Sequence, residues 1–331
     1  MNSFKSLLII LILSLFTSCN KNESIKSENV NLEVNTEKKE GVQPFAENVF
    51  SKFINVRDFT MTKDEDEAYF SLQSPNRELS VIMKIEKKEN VWQEPEISNF
   101  SGKYTDLEPF LSPDNLKLYF VSNRPVSKDS TNTKDMDIWY VERTSKNSSW
   151  SEPKNIGSPV NTVGDEFYPS VANNGNLYFT TIKKELESAD DIFVSRWENN
   201  TYSEPKLLGE GVNTEGAEYN AFIAPDESYI IFGGWRRPDG LGSGDMYISK
   251  NIDGEWTSAE NLGEEINSKY MEFCPFVLNE TLYFTSRRSS VKQKENGFKN
   301  AQELISEINK YDNGASRIYK VDFSNLSSIS N

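Results

Sequence analysis

The sequence predicts an all-β fold, a β-propeller of five four-stranded blades. Three observations carry that prediction. A strand-like segment returns five times at near-constant spacing, and two further segments return in step with it. A stretch of N-terminal sequence is also left over where the last unit lacks its fourth strand.

The first segment is short, apolar and aromatic: Ala68-Tyr69-Phe70, Leu118-Tyr119-Phe120, Leu177-Tyr178-Phe179, Ile230-Ile231-Phe232 and Leu282-Tyr283-Phe284. Its third residues lie 50, 59, 53 and 52 positions apart. The second is Asp137-Ile138-Trp139, Asp191-Ile192-Phe193 and Asp245-Met246-Tyr247, with Arg317-Ile318-Tyr319 as a variant and Val81-Ile82-Met83 as a weak counterpart. The third is Trp92-Gln93-Glu94-Pro95, Trp150-Ser151-Glu152-Pro153 and Tyr202-Ser203-Glu204-Pro205, decaying to Trp256-Thr257-Ser258-Ala259. Its aromatics recur at blade spacing and are read as packing residues.

Each unit reads as four short strands divided by Asn, Asp, Gly and Ser turns. One such sheet cannot bury both faces alone, whereas sheets arranged radially pack on their neighbours and leave only short edges. Residues 45–323 hold slightly over five spacings of 52 residues. The fifth unit ends near Phe323 without its Trp-x-Glu-Pro strand, and Val49–Val56 has no other assignment. Ring closure by this N-terminal strand is therefore expected. A six-bladed ring is the alternative, and it requires one blade with no recognisable repeat.

Ser112-Pro113-Asp114 before Leu118-Tyr119-Phe120, then Ser122-Asn123-Arg124 and Asp137-Ile138-Trp139, resembles the WD-like propeller repeat of the TolB family. Ala224-Pro225-Asp226 before Ile230-Ile231-Phe232 is a second close match, while Lys63-Asp64 and Asn173-Asn174-Gly175 depart from the pattern. The resemblance covers about 280 residues and implies the fold. It implies little about function, because such repeats serve scaffolds, peptidases and sugar-active enzymes alike. The amino-terminal domain that TolB carries has no counterpart here, so the resemblance does not transfer a Tol-Pal role.

Residues 1–18 read as a secretory signal: Lys5, an apolar run Leu7–Phe16 of ten residues, then Thr17 and Ser18. A bilayer span needs about 20 apolar residues, so the run is too short to cross. The small residues lead into Cys19 in an order that resembles a lipobox, which implies lipid on Cys19. An ordinary signal peptide with an incidental cysteine is the alternative. Residues 19–44 are rich in Asn, Lys, Glu and Ser without periodicity and are expected to form a disordered tether, of roughly 80 Å at full extension. The expected plan is then a propeller over 45–323 and a tail over 324–331, with the protein anchored in the cell envelope at the periplasmic face or the outer membrane.

Composition narrows the chemistry. The formal net charge is -15, and loss of the segment carrying Lys5 makes it one unit more negative. Such a surface repels polyanions, so nucleic acid is not an expected partner. There are 0 His residues, which removes Ser-His-Asp and Cys-His catalysis and every His-ligated metal site. No cofactor, metal or catalytic residue is assigned. Cys274, in Phe273-Cys274-Pro275, has no partner if Cys19 is acylated and is read as a small buried residue.

A finer repeat marks the candidate binding face. Asn161-Thr162 precedes Glu166, Asn213-Thr214 precedes Glu218 and Asn267-Ser268 precedes Glu272, with Asp106 in the equivalent place. These acids open the innermost strands and are expected to ring one mouth of the channel. Arg124, Lys183, Arg236 and Arg287 follow the next strand at the same face, and Asp137, Asp191 and Asp245 open the third. Arginine–acid pairing within each blade is one reading, since repeated charge clusters are often structural. A ligand face is the other, and Trp235 with the carboxylates and arginines suits a sugar through bidentate hydrogen bonds and ring stacking. Glu108 breaks the repeat, standing where other units place Tyr168, Asn220 and Cys274.

Two insertions enter the same face, Pro125–Lys134 and Ser289–Ser316. The second carries Phe298, Ala301, Leu304, Ile305 and Ile308 at helical spacing, so a short amphipathic helix is expected over the mouth or against the blade edge. It is read either as a tolerated loop or as a lid. The functional expectation is a non-enzymatic binding or scaffold module, tied to the membrane through its lipid and taking a protein or glycan at the acidic face. The alternative is a glycosidase-type enzyme, which needs two unequal carboxylates roughly 5–9.5 Å apart.

Overall fold

The computed structural model describes residues 41–89, 91–127, 133–182 and 189–324. The segments read as signal, tether up to residue 40 and tail beyond Ser324 lie outside them, as does Lys183. Within the described residues the chain forms five four-stranded blades. Their innermost strands are Asn55–Met61, Asp106–Leu111, Glu166–Val171, Ala217–Ile223 and Glu272–Leu278. The aromatic segments form the second strands: Glu67–Gln73, Lys117–Ser122, Leu177–Thr181, Tyr229–Trp235 and Thr281–Ser286. Each is almost wholly buried, because both of its faces meet a neighbouring blade.

Ring closure differs in one detail from the expectation. The strand completing blade 5 is Gln43–Pro44, paired to Lys320 and Tyr319, and not Val49–Val56. Pro44 is tolerated because it sits on an outermost edge. Val49 and Phe50 lie instead in a short helix, Glu47–Phe50, and both are buried. Adjacent apolar residues both find cover on one side of a helical turn, whereas strand alternation would turn one of them to solvent. Phe50 packs edge-on against Phe70 with centroids 4.9 Å apart, and Asn55–Met61 then begins blade 1.

The Trp-x-Glu-Pro aromatics join one blade to the next. Trp150 donates Nε1–H to the Tyr69 hydroxyl at 2.7 Å, and Trp256 meets Tyr178 edge-on at 6.4 Å. They are packing residues, as their spacing implied.

The insertion in blade 5 does contain a helix, Ala301–Ile308, capped by the Asn300 side chain accepting from the Glu303 amide at 2.9 Å. Its orientation corrects the expectation. Leu304, Ile305 and Ile308 are 39%, 47% and 51% exposed, and the helix buries only Glu307. It closes no lid over the mouth with its apolar side. The Glu307 carboxylate is held inward by the Lys292 amide at 3.0 Å and the Lys310 ammonium at 2.6 Å.

Candidate functional site at the channel mouth

The repeated acids turn into their own blades. Asp106, Glu166, Glu218 and Glu272 are fully buried. Glu166 accepts from the Thr162 hydroxyl at 2.6 Å, Glu218 from that of Thr214 at 2.7 Å and Glu272 from that of Ser268 at 2.8 Å. The Asn of each motif reaches the preceding blade. Asn161 bonds both backbone groups of Ile138, Asn213 those of Ile192 and Asn267 those of Met246. The Asn-Thr/Ser…Glu motif is thus a clasp between blades, and its acids do not ring the mouth.

One arginine per blade completes the clasp in blades 2, 4 and 5. Arg124 pairs with Asp106 at 2.7 Å, Arg237 with Glu218 at 3.0 Å and Arg288 with Glu272 at 3.4 Å. Each lies over strand aromatics: Arg124 on Phe120, Arg237 on Tyr247 and Arg288 on Tyr319. Sequence placed Arg236 and Arg287 in this role, and each is one residue too early. In blade 5 the clasp uses the second residue after Ser286, as Arg124 is the second after Ser122; blade 4 carries one residue more. Arg236 and Arg287 are therefore left over. Arg236 stacks 4.0 Å from the ring of Trp235, which is 43% exposed on the same face.

The channel is lined by a different ring. Every innermost strand has a bulge two residues after the position that the clasp acid takes, and Asp58, Glu108, Tyr168, Asn220 and Cys274 all take φ between 49° and 58°. A left-handed non-glycine residue is strained, so its amide needs a partner. A hydroxyl on the preceding blade, just after the second-strand aromatic, supplies it. Thr285 serves Asp58, Ser71 serves Glu108 and Thr180 serves Asn220, at 3.3, 3.0 and 3.2 Å. Blades 2 and 4 offer Val121 and Gly233 at that place. The Glu108 carboxylate substitutes for the hydroxyl missing at Val121 and accepts from the Tyr168 amide at 2.8 Å.

Glu108 is also half of a charged hub. The Arg57 guanidinium donates Nε–H to Asp58 at 2.6 Å and Nη2–H to Glu108 at 2.8 Å, while the Cys274 thiol donates to Asp58 at 2.8 Å. Burial opposes the charge on Arg57, but Asp58, Cys274 and Glu108 outweigh it and hold the guanidinium well above its usual value. Burial pushes Glu108 up to about 7; Arg57 draws it down and Asp58 drives it further up. Burial, then the Asp58 charge, raises the Cys274 thiol well above its usual value, so it stays protonated and is no nucleophile.

Above the hub, the residues that directly follow the clasp acids of blades 3, 4 and 5 form an aromatic collar of Phe167, Tyr219 and Phe273. Arg57 and Arg287 both lie over the Phe273 ring, at 5.2 and 5.6 Å. Arg287 is half-buried, donates to the Ser316 hydroxyl at 3.3 Å and has no ion-pair partner among the described residues. Burial, with repulsion from Arg77 and Arg57, lowers its affinity for the proton. Gly233 and Gly244 leave room for Tyr219; a Cβ at Gly233 would meet its ring at 2.6 Å.

Sequence had flagged Glu108, Arg287, Arg236 and Trp235 on this face, but not Arg57 or Asp58. Blade 1 lacks the Asn-Thr…Glu signature that locates the inner strand, and Val56 stands where the other blades have their acid. Aligning Asp58 with Glu108 by distance from the second-strand aromatic would have found it. Among the described residues no group of three or more acids or cysteines is placed to hold a metal ion. A crevice of about 510 Å³ lies away from the mouth, at the opposite end of blades 1 and 2, and is lined by Glu67, Tyr69, Lys84, Arg143 and Trp150 among others.

No family model matches the chain, and no curated protein matches it. Solved structures do. A putative TolB from Agrobacterium tumefaciens is similar over 70% of this chain and 69% of its own, with 14% identity and a TM-score of 0.45. TolB from Acinetobacter baumannii is similar over 80% of this chain but only 54% of its own length, with 12% identity and a TM-score of 0.42. A protein described as a glycoside hydrolase is similar over 81% of this chain and 86% of its own, with 8% identity and a TM-score of 0.51. At these identities the likeness is one of architecture alone: in fold, the chain is a five-bladed β-propeller.

Proposed function

We propose that the chain is a cell-envelope binding module, held to a membrane through lipid on Cys19, that takes a protein or glycan at its channel mouth without turning it over. The observation that carries this reading is the single guanidinium of Arg57 bonded to both channel carboxylates. Glycoside hydrolysis needs one carboxyl to give a proton and the other to face the reacting carbon or a water. Two acids tied to one buried cation are poorly placed to divide that labour. The collar above them has what recognition uses: aromatic faces, and the arginines Arg236 and Arg287 that the blade clasps leave over.

A second reading rests on Glu108 alone. A carboxyl pushed up to about 7 by burial, with a second carboxyl close by, is the kind of group that general acid catalysis uses. One experiment separates the two. Residues 20–331 are used to capture proteins and glycans from envelope extracts, beside an Arg287→Gln/Trp235→Ala variant, and captured glycans are incubated and sized. Capture lost in the variant, with ligand recovered intact, supports binding. Shortened glycan whose cleavage stops in Glu108→Gln replaces it with the enzyme. Equal capture by both proteins sinks the mouth as the site.

A further inference from the structure

The insertion helix of blade 5 is amphipathic in the reverse sense. A surface helix normally turns its apolar stripe to the core. Here Ala301, Leu304, Ile305 and Ile308, at positions i, i+3, i+4 and i+7, are all exposed, and Val291 in the same insertion is 38% exposed. The acids are held on the other side: Glu307 is buried, and Glu303 accepts from the Lys299 amide at 2.5 Å. The apolar face is therefore fixed outward by hydrogen bonds. Contiguous exposed apolar surface of this kind marks a contact site.

We propose that this face rests on a lipid bilayer, so that blade 5 is the side of the propeller turned to the membrane. Two observations select lipid as the occupant. The first is charge. Residues 289–316 carry Lys292, Lys294, Lys299 and Lys310 against Glu295, Glu303, Glu307 and Asp312, so the insertion is neutral in a chain whose net charge is -15. An anionic bilayer repels the remainder of the surface but not this segment. Exposed lysines flanking exposed Leu and Ile are also the composition of helices that lie in a membrane interface, ammonium groups reaching the headgroups and apolar side chains entering below them. The second is where the chain outside the described residues begins. Gln43–Pro44 pairs with Arg317–Asp322, the strand that directly follows the insertion. A membrane anchor preceding residue 41 therefore pulls on blade 5, the blade that carries the helix.

Resting on the lipid anchor proposed at Cys19, the helix adds a weak second contact and orients the channel relative to the bilayer. This inference is independent of what the mouth binds.

Flotation tests it with residues 20–331 made without lipid. The ring closes on itself within residues 41–324, so this chain carries the whole fold. The probe is vesicles of phosphatidylethanolamine and phosphatidylglycerol, and the variant is Leu304→Ser/Ile305→Ser/Ile308→Ser. All three side chains are exposed, so the melting temperature should not move. The wild-type protein is expected to float with the vesicles, and the variant to lose roughly tenfold or more of the bound fraction. If neither floats, or both float equally, the inference fails. Sedimentation of the same samples provides the other arm: a dimer that the variant dissociates would assign the face to a second copy of this chain and overturn the lipid reading.

Discussion

Glu108 decides between a structural and a chemical reading of the channel, and its bonds set the size of the test. Its two oxygens accept from the Tyr168 amide at 2.8 Å, from Arg57 at 2.8 Å and more weakly from Asn220 at 3.4 Å. Truncation in Glu108→Ala leaves two strong buried donors without an acceptor. Each unsatisfied donor costs roughly 1–2 kcal/mol, so a loss of about 3 kcal/mol in unfolding free energy is expected. Glu108→Gln keeps an acceptor for the amide and should cost under about 1 kcal/mol at pH 8. Val121 adds a control. A Val121→Thr change restores the hydroxyl that Ser71, Thr180 and Thr285 supply in other blades, and placed in the Glu108→Ala chain it should return about 1 kcal/mol.

The pH dependence follows with a definite sign. Glu108 has a folded value of about 7, above its ordinary 4.5. A group raised in this way contributes stability that is fully present below pH 4.5 and is lost as pH rises through 7. The difference is on the order of 3 kcal/mol at 1.36 kcal/mol per unit. Urea unfolding at pH 5 and pH 8 measures it, and Glu108→Gln should remove most of the pH dependence between them. If Glu108→Ala unfolds at the wild-type urea concentration, or if Val121→Thr restores nothing, the carboxylate is not standing in for a hydroxyl. Its role would then have to be chemical.

Two further outcomes test the blade joints. At the crevice between blades 1 and 2, Arg143 donates Nη1–H to both Glu67 oxygens at 2.9 and 3.0 Å and stacks 4.2 Å from Trp150. Glu67→Gln or Arg143→Met alone should cost about 3–5 kcal/mol, and the pair together less than the sum, as a double-mutant cycle in urea will report. The clasp makes neighbouring arginines unequal. Arg288→Gln takes the partner from fully buried Glu272 and should lower stability by about 1–3 kcal/mol, whereas Arg287→Gln should stay within about 0.5 kcal/mol of wild type. Equal effects would mean that Arg287 also belongs to the blade.

The architecture was legible because a propeller repeats its strand chemistry. The Leu-Tyr-Phe segment must be apolar on both faces in every blade, and the Trp-x-Glu-Pro aromatic must meet the tyrosine of the blade before. The closing strand escaped because Gln43–Pro44 is two residues on an outer edge, where neither alternation nor β propensity is required. Val49 and Phe50 looked strand-like since local composition does not distinguish a buried helical turn from a buried strand. The helix at Ala301–Ile308 was readable from its spacing, but the direction of its apolar side was not, because amphipathic periodicity is the same for a face turned in and a face turned out. For the acids, sequence showed a repeated carboxylate but not that Thr162, Thr214 and Ser268 cap it from within the blade.

Repetition also provides an internal control for locating function. A residue used once per blade is accounted for by the blade: this absorbs Glu166, Glu218 and Glu272 with their hydroxyl caps, and Arg124, Arg237 and Arg288 with their carboxylates. A residue that breaks the repeat to mend a local fault is also accounted for, and Glu108 mends the one made by Val121. Arg57, Arg236, Arg287 and Trp235 fall in neither class. Arg236 and Arg287 are second arginines beside ones already committed, and Trp235 spends a large apolar side chain on an exposed rim. Arg57 alone belongs to both the buried hub and the collar. Among the described residues no ion pair commits Arg236 or Arg287 to a blade, and both stand with Trp235 on the face where the channel opens. In the binding reading proposed above, these arginines are therefore the groups that would hold a ligand at the mouth, with Glu108 beneath it as part of the floor.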